Sequence, residues 1–126
     1  MILIFGGVYQ GKLDYALKRF ELTESDIMRC ADGDMVCLEG KKIVYEIDKW
    51  ILSLIQVERN VPDEVKSFIE NNKDIIVICN DISCGIVPTD PVMRKWREEV
   101  GKTLGLLAHN ADEVIRLYCG IPSKLK

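Results

Sequence analysis

This chain of 126 residues has a single histidine, His109, and none of its five cysteines forms a C-x-x-C pair. Cys30, Cys37, Cys79, Cys84 and Cys119 are odd in number and mostly sit in apolar stretches, the usage of reduced, mainly buried thiols in a reducing compartment. Cys79 and Cys84 flank a loop and could ligate a metal together, but His109 lies in another segment, so the spacing does not favour a metal-cysteine centre. Long hydrophobic runs are missing too. No segment approaches the roughly 18 apolar residues of a membrane span, and the first apolar run is too short for a signal sequence. The expectation is a cytoplasmic protein. A surplus of positive charge is also lacking: 17 Lys and Arg face 20 Asp and Glu, a net charge of −3. The basic residues are scattered among acids, which argues against a general nucleic-acid or membrane partner. A hydrophobic share of 48% with 29% charged residues excludes a disordered class. The length suits one domain, residues 1–126, that buries its core without disulfides.

What is present begins at the first residues. Met1-Ile2-Leu3-Ile4-Phe5 reads as a strand, and it breaks into Gly6-Gly7-Val8-Tyr9-Gln10-Gly11-Lys12 before a helical pattern. Gly6, Gly11 and Lys12 fit the phosphate-loop pattern G-x-x-x-x-G-K-[ST]. Its glycines let backbone N–H groups wrap phosphates, while the following helix start adds donors and a positive dipole end. Leu13 departs from the pattern, standing where a Ser or Thr hydroxyl would coordinate Mg²⁺. Gly6 to Leu13 is therefore expected to bind nucleotide phosphates, with Mg²⁺ as a weak expectation. A lysine at the positive end of a helix is electrostatically unfavourable unless an anion is to be held, which favours a phosphate-binding role for Lys12 over that of an exposed lysine.

Further along, Leu13, Ala16, Leu17 and Phe20 fall at helical spacing, predicting a helix over Lys12–Phe20. Glu21–Gly40 is hard to read, with turn signals around short apolar pieces and a possible short strand at Met35–Leu38. Ile43-Val44-Tyr45 reads as a buried strand ending in Glu46, and Trp50, Ile51, Leu54 and Ile55 as the stripe of a second helix. Pro62-Asp63-Glu64 starts a third helix, with proline and acids suited to a first turn. Ile75–Cys79 is a β-branched run of the kind buried on both faces of a parallel sheet. Asn80–Pro91 reads as a loop, Val92–Asn110 as a long helix, and Glu113–Tyr118 as the last strand, with Gly120-Ile121-Pro122 ending regular structure. Strands alternating with helices predict an α/β domain of three layers, phosphate-loop-NTPase-like, with a mostly parallel central sheet. Ligands in such sheets bind beyond the carboxyl ends of the strands, so the loops after Phe5, Tyr45 and Cys79 should converge on one site.

The segments Cys79-Asn80-Asp81-Ile82-Ser83-Cys84-Gly85-Ile86-Val87-Pro88, Arg94-Lys95-Trp96-Arg97-Glu98-Glu99, Ala111-Asp112-Glu113-Val114 and Gly120-Ile121-Pro122-Ser123-Lys124-Leu125-Lys126 narrow the field. In order and spacing they resemble the adenosylcobinamide kinase/adenosylcobinamide-phosphate guanylyltransferase family of cobalamin biosynthesis, and the Gly-Gly start of the phosphate loop matches as well. The resemblance implies a nucleotide-dependent kinase with ATP or GTP as ligand, adenosylcobinamide as substrate and a homo-oligomeric state. It implies Lys12, Glu46 and Asp81 as catalytic residues, the two acids doubling as metal ligands, and Asn80, Arg94 and Arg97 as substrate contacts.

This chain departs from that family in four places. The segment bearing the histidine that accepts GMP is short here and holds no histidine, so guanylyl transfer should be lost. Leu13 and Gln10 each replace a family Ser, and Leu104-Gly105 replaces an Asn-Gln pair. Bland readings stand beside the sharp ones: Glu46 as a helix-start acid, Asn80 and Asp81 as turn formers, and Arg94 and Arg97 paired with Glu98 or Glu99 on a solvated helix face. Tyr9 could stack on a base or close the pocket, whereas Trp50 and Trp96 suit a core or a subunit interface. A second possibility is a nucleotide-binding module without turnover, and a third a structural or regulatory subunit.

Overall fold

The computed structural model describes residues 1–30, 38–83 and 85–126. Six strands form one sheet: β1 (Ile2–Gly6), β2 (Ile27–Arg29), β3 (Ile43–Tyr45), β4 (Ile76–Asn80), β5 (Glu113–Tyr118) and β6 (Ile121–Lys124). The spatial order is β2-β3-β4-β1-β5-β6. The first five strands run parallel, with Ile4 of β1 opposite Ile78 of β4 and Ile115 of β5. β6 turns back antiparallel on β5. Four helices connect them: α1 (Lys12–Phe20), α2 (Ile47–Gln56), α3 (Val61–Asn71) and α4 (Pro91–Asn110). This is the expected α/β architecture, a mostly parallel sheet between two helical layers.

Alternation along the strands sends successive side chains to opposite faces. On one face Leu3, Val44, Val77, Cys79 and Val114 pack with Ile51, Leu54, Val65, Phe68, Val100 and Leu107 from α2, α3 and α4. On the other, Ile4, Ile43, Ile76, Ile78, Ile115 and Leu117 meet Ala16 of α1, with Leu13, Leu17 and Phe20 half-buried around it. β1 and β4 are the middle strands of the sheet, which is why their β-branched runs carry no polar alternation. Two helix starts carry side-chain caps. Asn60 caps α3 by accepting from the Asp63 N–H at 3.1 Å, and Asp90 caps α4 by accepting from the Val92 N–H at 2.8 Å, both ahead of a first-turn proline.

The observed elements correct the sequence reading at two strands. Glu113–Tyr118 is not the last strand, and Gly120-Ile121-Pro122 does not end regular structure. Cys119 and Gly120 both have positive φ, 52° and 75°, the backbone of a two-residue hairpin turn. Pro122 is tolerated because β6 is an edge strand. Within Glu21–Gly40, Ile27–Arg29 forms β2, parallel to β3 at the other edge. The strand expected at Met35–Leu38 falls largely outside the described residues, as do Cys37 and Cys84. Among the described residues no helix is long and apolar enough to cross a membrane.

Candidate phosphate-binding site

The loop between β1 and α1 is shaped by contacts that only its residue types permit. Gly6 closes β1 with φ 153°, and a Cβ there would lie 2.3 Å from the Leu117 carbonyl oxygen. That oxygen excludes any side chain. The Gly6 carbonyl accepts from the Asp81 N–H at 2.9 Å, tying the loop to the end of β4. Gln10 ties its far side to the β5–β6 turn: its carbonyl accepts from the Gly120 N–H at 3.0 Å, and its Oε1 accepts from the Cys119 N–H at 2.5 Å. Gly11, with φ 85°, leads into α1 without any side-chain cap. The first N–H groups of that helix are thus left for an incoming acceptor.

Lys12 is 4% exposed, and its Nζ donates to the Gly7 carbonyl at 2.5 Å. Burial lowers the pKa of its amine, and the nearby Asp48, Cys79 and Glu46 partly oppose that shift. The buried cation is folded back on its own loop's carbonyl, its one acceptor among the described residues. The loop, with Asp14, Tyr45, Glu46 and Asn80, lines a cleft of about 430 Å³. All three expected loops therefore meet at one cleft: the phosphate loop after β1, Glu46 after β3 and Asn80 at the end of β4.

Sequence reasoning missed Asp48. Only 2% exposed, it accepts from the Asn80 backbone N–H at 3.0 Å and the Asn80 side-chain amide at 3.2 Å. Its own carbonyl accepts from Trp96 Nε1 at 2.7 Å. Burial pushes its carboxyl pKa up, against the two bonds from Asn80. In sequence it reads as a routine first-turn acid of α2, and the one available signal was its place two residues beyond a strand-end carboxylate. Glu46 bridges β3 and α2 in a left-handed conformation, φ 62°, and its Oε2 accepts from Lys49 Nζ at 2.8 Å.

Other candidates fall elsewhere. Asp81 Oδ1 accepts from the Ser83 N–H at 3.0 Å and its hydroxyl at 2.5 Å. That turn is the role in which Asp is common, and Asp81 does not line the phosphate cleft. Arg94 and Arg97 line a separate cleft of about 410 Å³ with Ser83, Val87, Glu98 and Lys102. Arg97 Nε donates to the Ser83 carbonyl at 2.9 Å and Nη2 to the Gly85 carbonyl at 3.1 Å. Glu98 is bonded to Lys102 at 2.7 Å rather than to either arginine. Tyr9 is 99% exposed at the loop tip. Trp50 is buried against Phe68, ring centroids 5.9 Å apart.

A sequence model of the cobinamide kinase / cobinamide phosphate guanyltransferase family matches residues 34–125. The chain belongs to that family. A comparison with curated proteins found no match. Membership places the chain among the nucleotide-binding, kinase- and guanylyltransferase-like proteins of cobalamin biosynthesis. The matched span contains Glu46, Asn80, Asp81, Arg94 and Arg97, while the phosphate loop precedes it.

The family's chemistry implies Mg²⁺, which takes a carboxylate or two, water and substrate phosphates in octahedral geometry. The donors at the family's expected positions do not make that set. Leu13 offers methyl groups, Asp81 is turned onto Ser83, Asp48 is engaged by Asn80, and Glu46 already holds Lys49. Among the described residues no group of three or more His, Cys, Asp or Glu is placed to hold an ion. Cys79 is buried with its thiol pKa pushed well up by desolvation, which leaves it a core residue. His109 lies exposed in the last turn of α4.

Proposed function

We propose that this chain binds a nucleoside triphosphate, ATP or GTP, through its phosphates in the loop Gly6–Leu13, and that it serves the kinase half of its family's chemistry on adenosylcobinamide. The single observation that carries this reading is the buried ammonium of Lys12, enclosed by a glycine loop and an uncapped helix start. In this reading Lys12 holds the β- and γ-phosphate oxygens, and the backbone N–H groups of Gly7 to Leu13 and α1 surround them. Glu46, on the wall of the same cleft, is the acid placed to take the proton of the substrate hydroxyl as it attacks the γ-phosphorus. Asn80 orients that wall through Asp48. Arg94 and Arg97, in the separate cleft, suit the polar side groups of a large substrate, and Asp81 holds the start of the loop that follows β4. Guanylyl transfer through histidine is left out, because His109 does not line the cleft. The reading also carries the expectation of a homo-oligomer in the cytoplasm.

A second reading, a nucleotide-binding subunit without turnover, is favoured by Leu13 and by the engagement of Asp81 with Ser83. Calorimetric titration with ATP and GTP, followed by a phosphoryl-transfer assay on adenosylcobinamide, separates the two. Binding that Lys12→Ala abolishes, with phosphorylated product, supports the kinase; such binding without product supports the subunit. No binding of either nucleotide overturns both.

A further inference from the structure

Glu46 lies on the wall of the cleft in which the phosphate loop opens. A carboxylate facing bound phosphates repels them, and in a magnesium-dependent site the ion between the two negative groups removes the repulsion. Here another cation already holds that acid. Lys49, one turn along α2, places Nζ 2.8 Å from Glu46 Oε2, and its backbone N–H donates to the Glu46 carbonyl at 3.0 Å. The left-handed backbone of Glu46 puts acid and lysine on the same turn, with the acid on the cleft wall and its side chain only 17% exposed. The other donors expected for a divalent ion are otherwise engaged or absent: Leu13 has no side-chain oxygen, Asp81 is held by Ser83, and Asp48 by Asn80.

We propose that Lys49 is the built-in counter-ion of Glu46, so that the loop takes nucleotide phosphates without a divalent cation. The inference rests on the nucleotide reading and adds to it the form of the ligand, a nucleoside polyphosphate free of metal. Lys49 is a positioning residue, acting on the ligand through the charge of Glu46. A tethered monovalent charge neutralises the wall but cannot bridge two phosphates, which leaves the phosphates themselves to Lys12 and the backbone donors.

The test is calorimetric titration of the full chain with ATP, GTP and pyrophosphate, in excess EDTA and in excess MgCl₂. For the unaltered chain the dissociation constants should agree within about threefold between the two conditions. Lys49→Met should weaken binding in EDTA by about tenfold, as expected for exposing one charge at a partly solvated site, and MgCl₂ should restore it. Lys49→Arg should behave as the parent, and Lys49→Met with Glu46→Gln should regain metal independence. A merely structural role for Lys49 would not create a magnesium requirement, and melting curves of each variant show whether the fold is kept. Tenfold or greater magnesium dependence in the unaltered chain overturns the proposal while leaving the nucleotide reading intact, as does a Lys49→Met variant that binds equally with and without the ion. Absence of binding in every condition overturns the nucleotide reading, and this inference with it.

Discussion

The phosphate loop and the loop after β4 leave the same edge of the sheet, yet they are held in different ways. Gly6–Leu13 is tied through its backbone to β4 and to the β5–β6 turn, with a buried lysine closed onto it. Asp81–Asp90 is fixed by the Asp81–Ser83 turn and by Arg97 reaching back from α4, while Ile86 and Val87 are 96% and 63% exposed. The first loop is part of the core's own bonding; the second is an attachment. Substitutions in the first should disturb fold and ligand together, whereas those in the second should change one function and leave the rest.

The largest effect expected is on nucleotide affinity. Lys12→Ala should raise the dissociation constant by about 100-fold, since it removes the only buried lysine among the described residues. Arg97→Ala should change it by less than about threefold, its effect being kept for the larger substrate. Equal effects in calorimetry would erase the distinction between the two clefts. Glycine substitutions sharpen it next. Gly6→Ala drives a methyl into the Leu117 carbonyl and should cost about 3 kcal/mol or more in urea unfolding. Gly85→Ala, at φ 97° but with open space around its Cβ, should cost only about 1 kcal/mol.

Carboxylates supply the third contrast. Asp48→Ala leaves the buried Asn80 donors unmatched and should destabilise the chain by about 2 kcal/mol, against about 0.5 kcal/mol for Asp81→Ala on the exposed turn. The smallest effect is a pH dependence. The pKa of Lys12 is lowered on folding, so its charged form opposes folding in the free protein. That opposition fades as pH rises through the lowered pKa towards the ordinary 10.5. Melting curves between neutral and alkaline pH should therefore show the free chain gaining slightly relative to Lys12→Met, while its affinity for pyrophosphate declines. An affinity that stays level across that range would mean that the ammonium does not hold the phosphate.

The central strands and all four helices were legible because their residues carry one strong period each. Ile75–Cys79 and Ile43–Tyr45 are β-branched runs, and α2 shows its stripe at Trp50, Ile51, Leu54 and Ile55. The edge strands were not legible. Ile27–Arg29 is too short to show alternation, and β6 contains a proline and begins after a turn in which a cysteine takes positive φ, where glycine or asparagine is the usual signal. At the site, the loop was readable from Gly6, Gly11 and Lys12, since backbone geometry restricts those positions to few residue types. Asp48 was not, because its importance comes from burial beside β4, a strand some thirty positions away in sequence. The placing of Asp81 and the arginines apart from the phosphate cleft likewise depends on one turn and one guanidinium, which leave no periodic trace.

The bonds from Gln10 to Cys119 and Gly120 join opposite ends of the described chain. During synthesis, the β1–α1 loop emerges more than a hundred residues before the turn that braces it. β1 must likewise wait for β4 and β5 before it has neighbours on both sides. The nascent chain therefore carries an unbraced β1–α1 loop until the β5–β6 hairpin closes, and the shape of that loop is set by a strand pair made far later in synthesis.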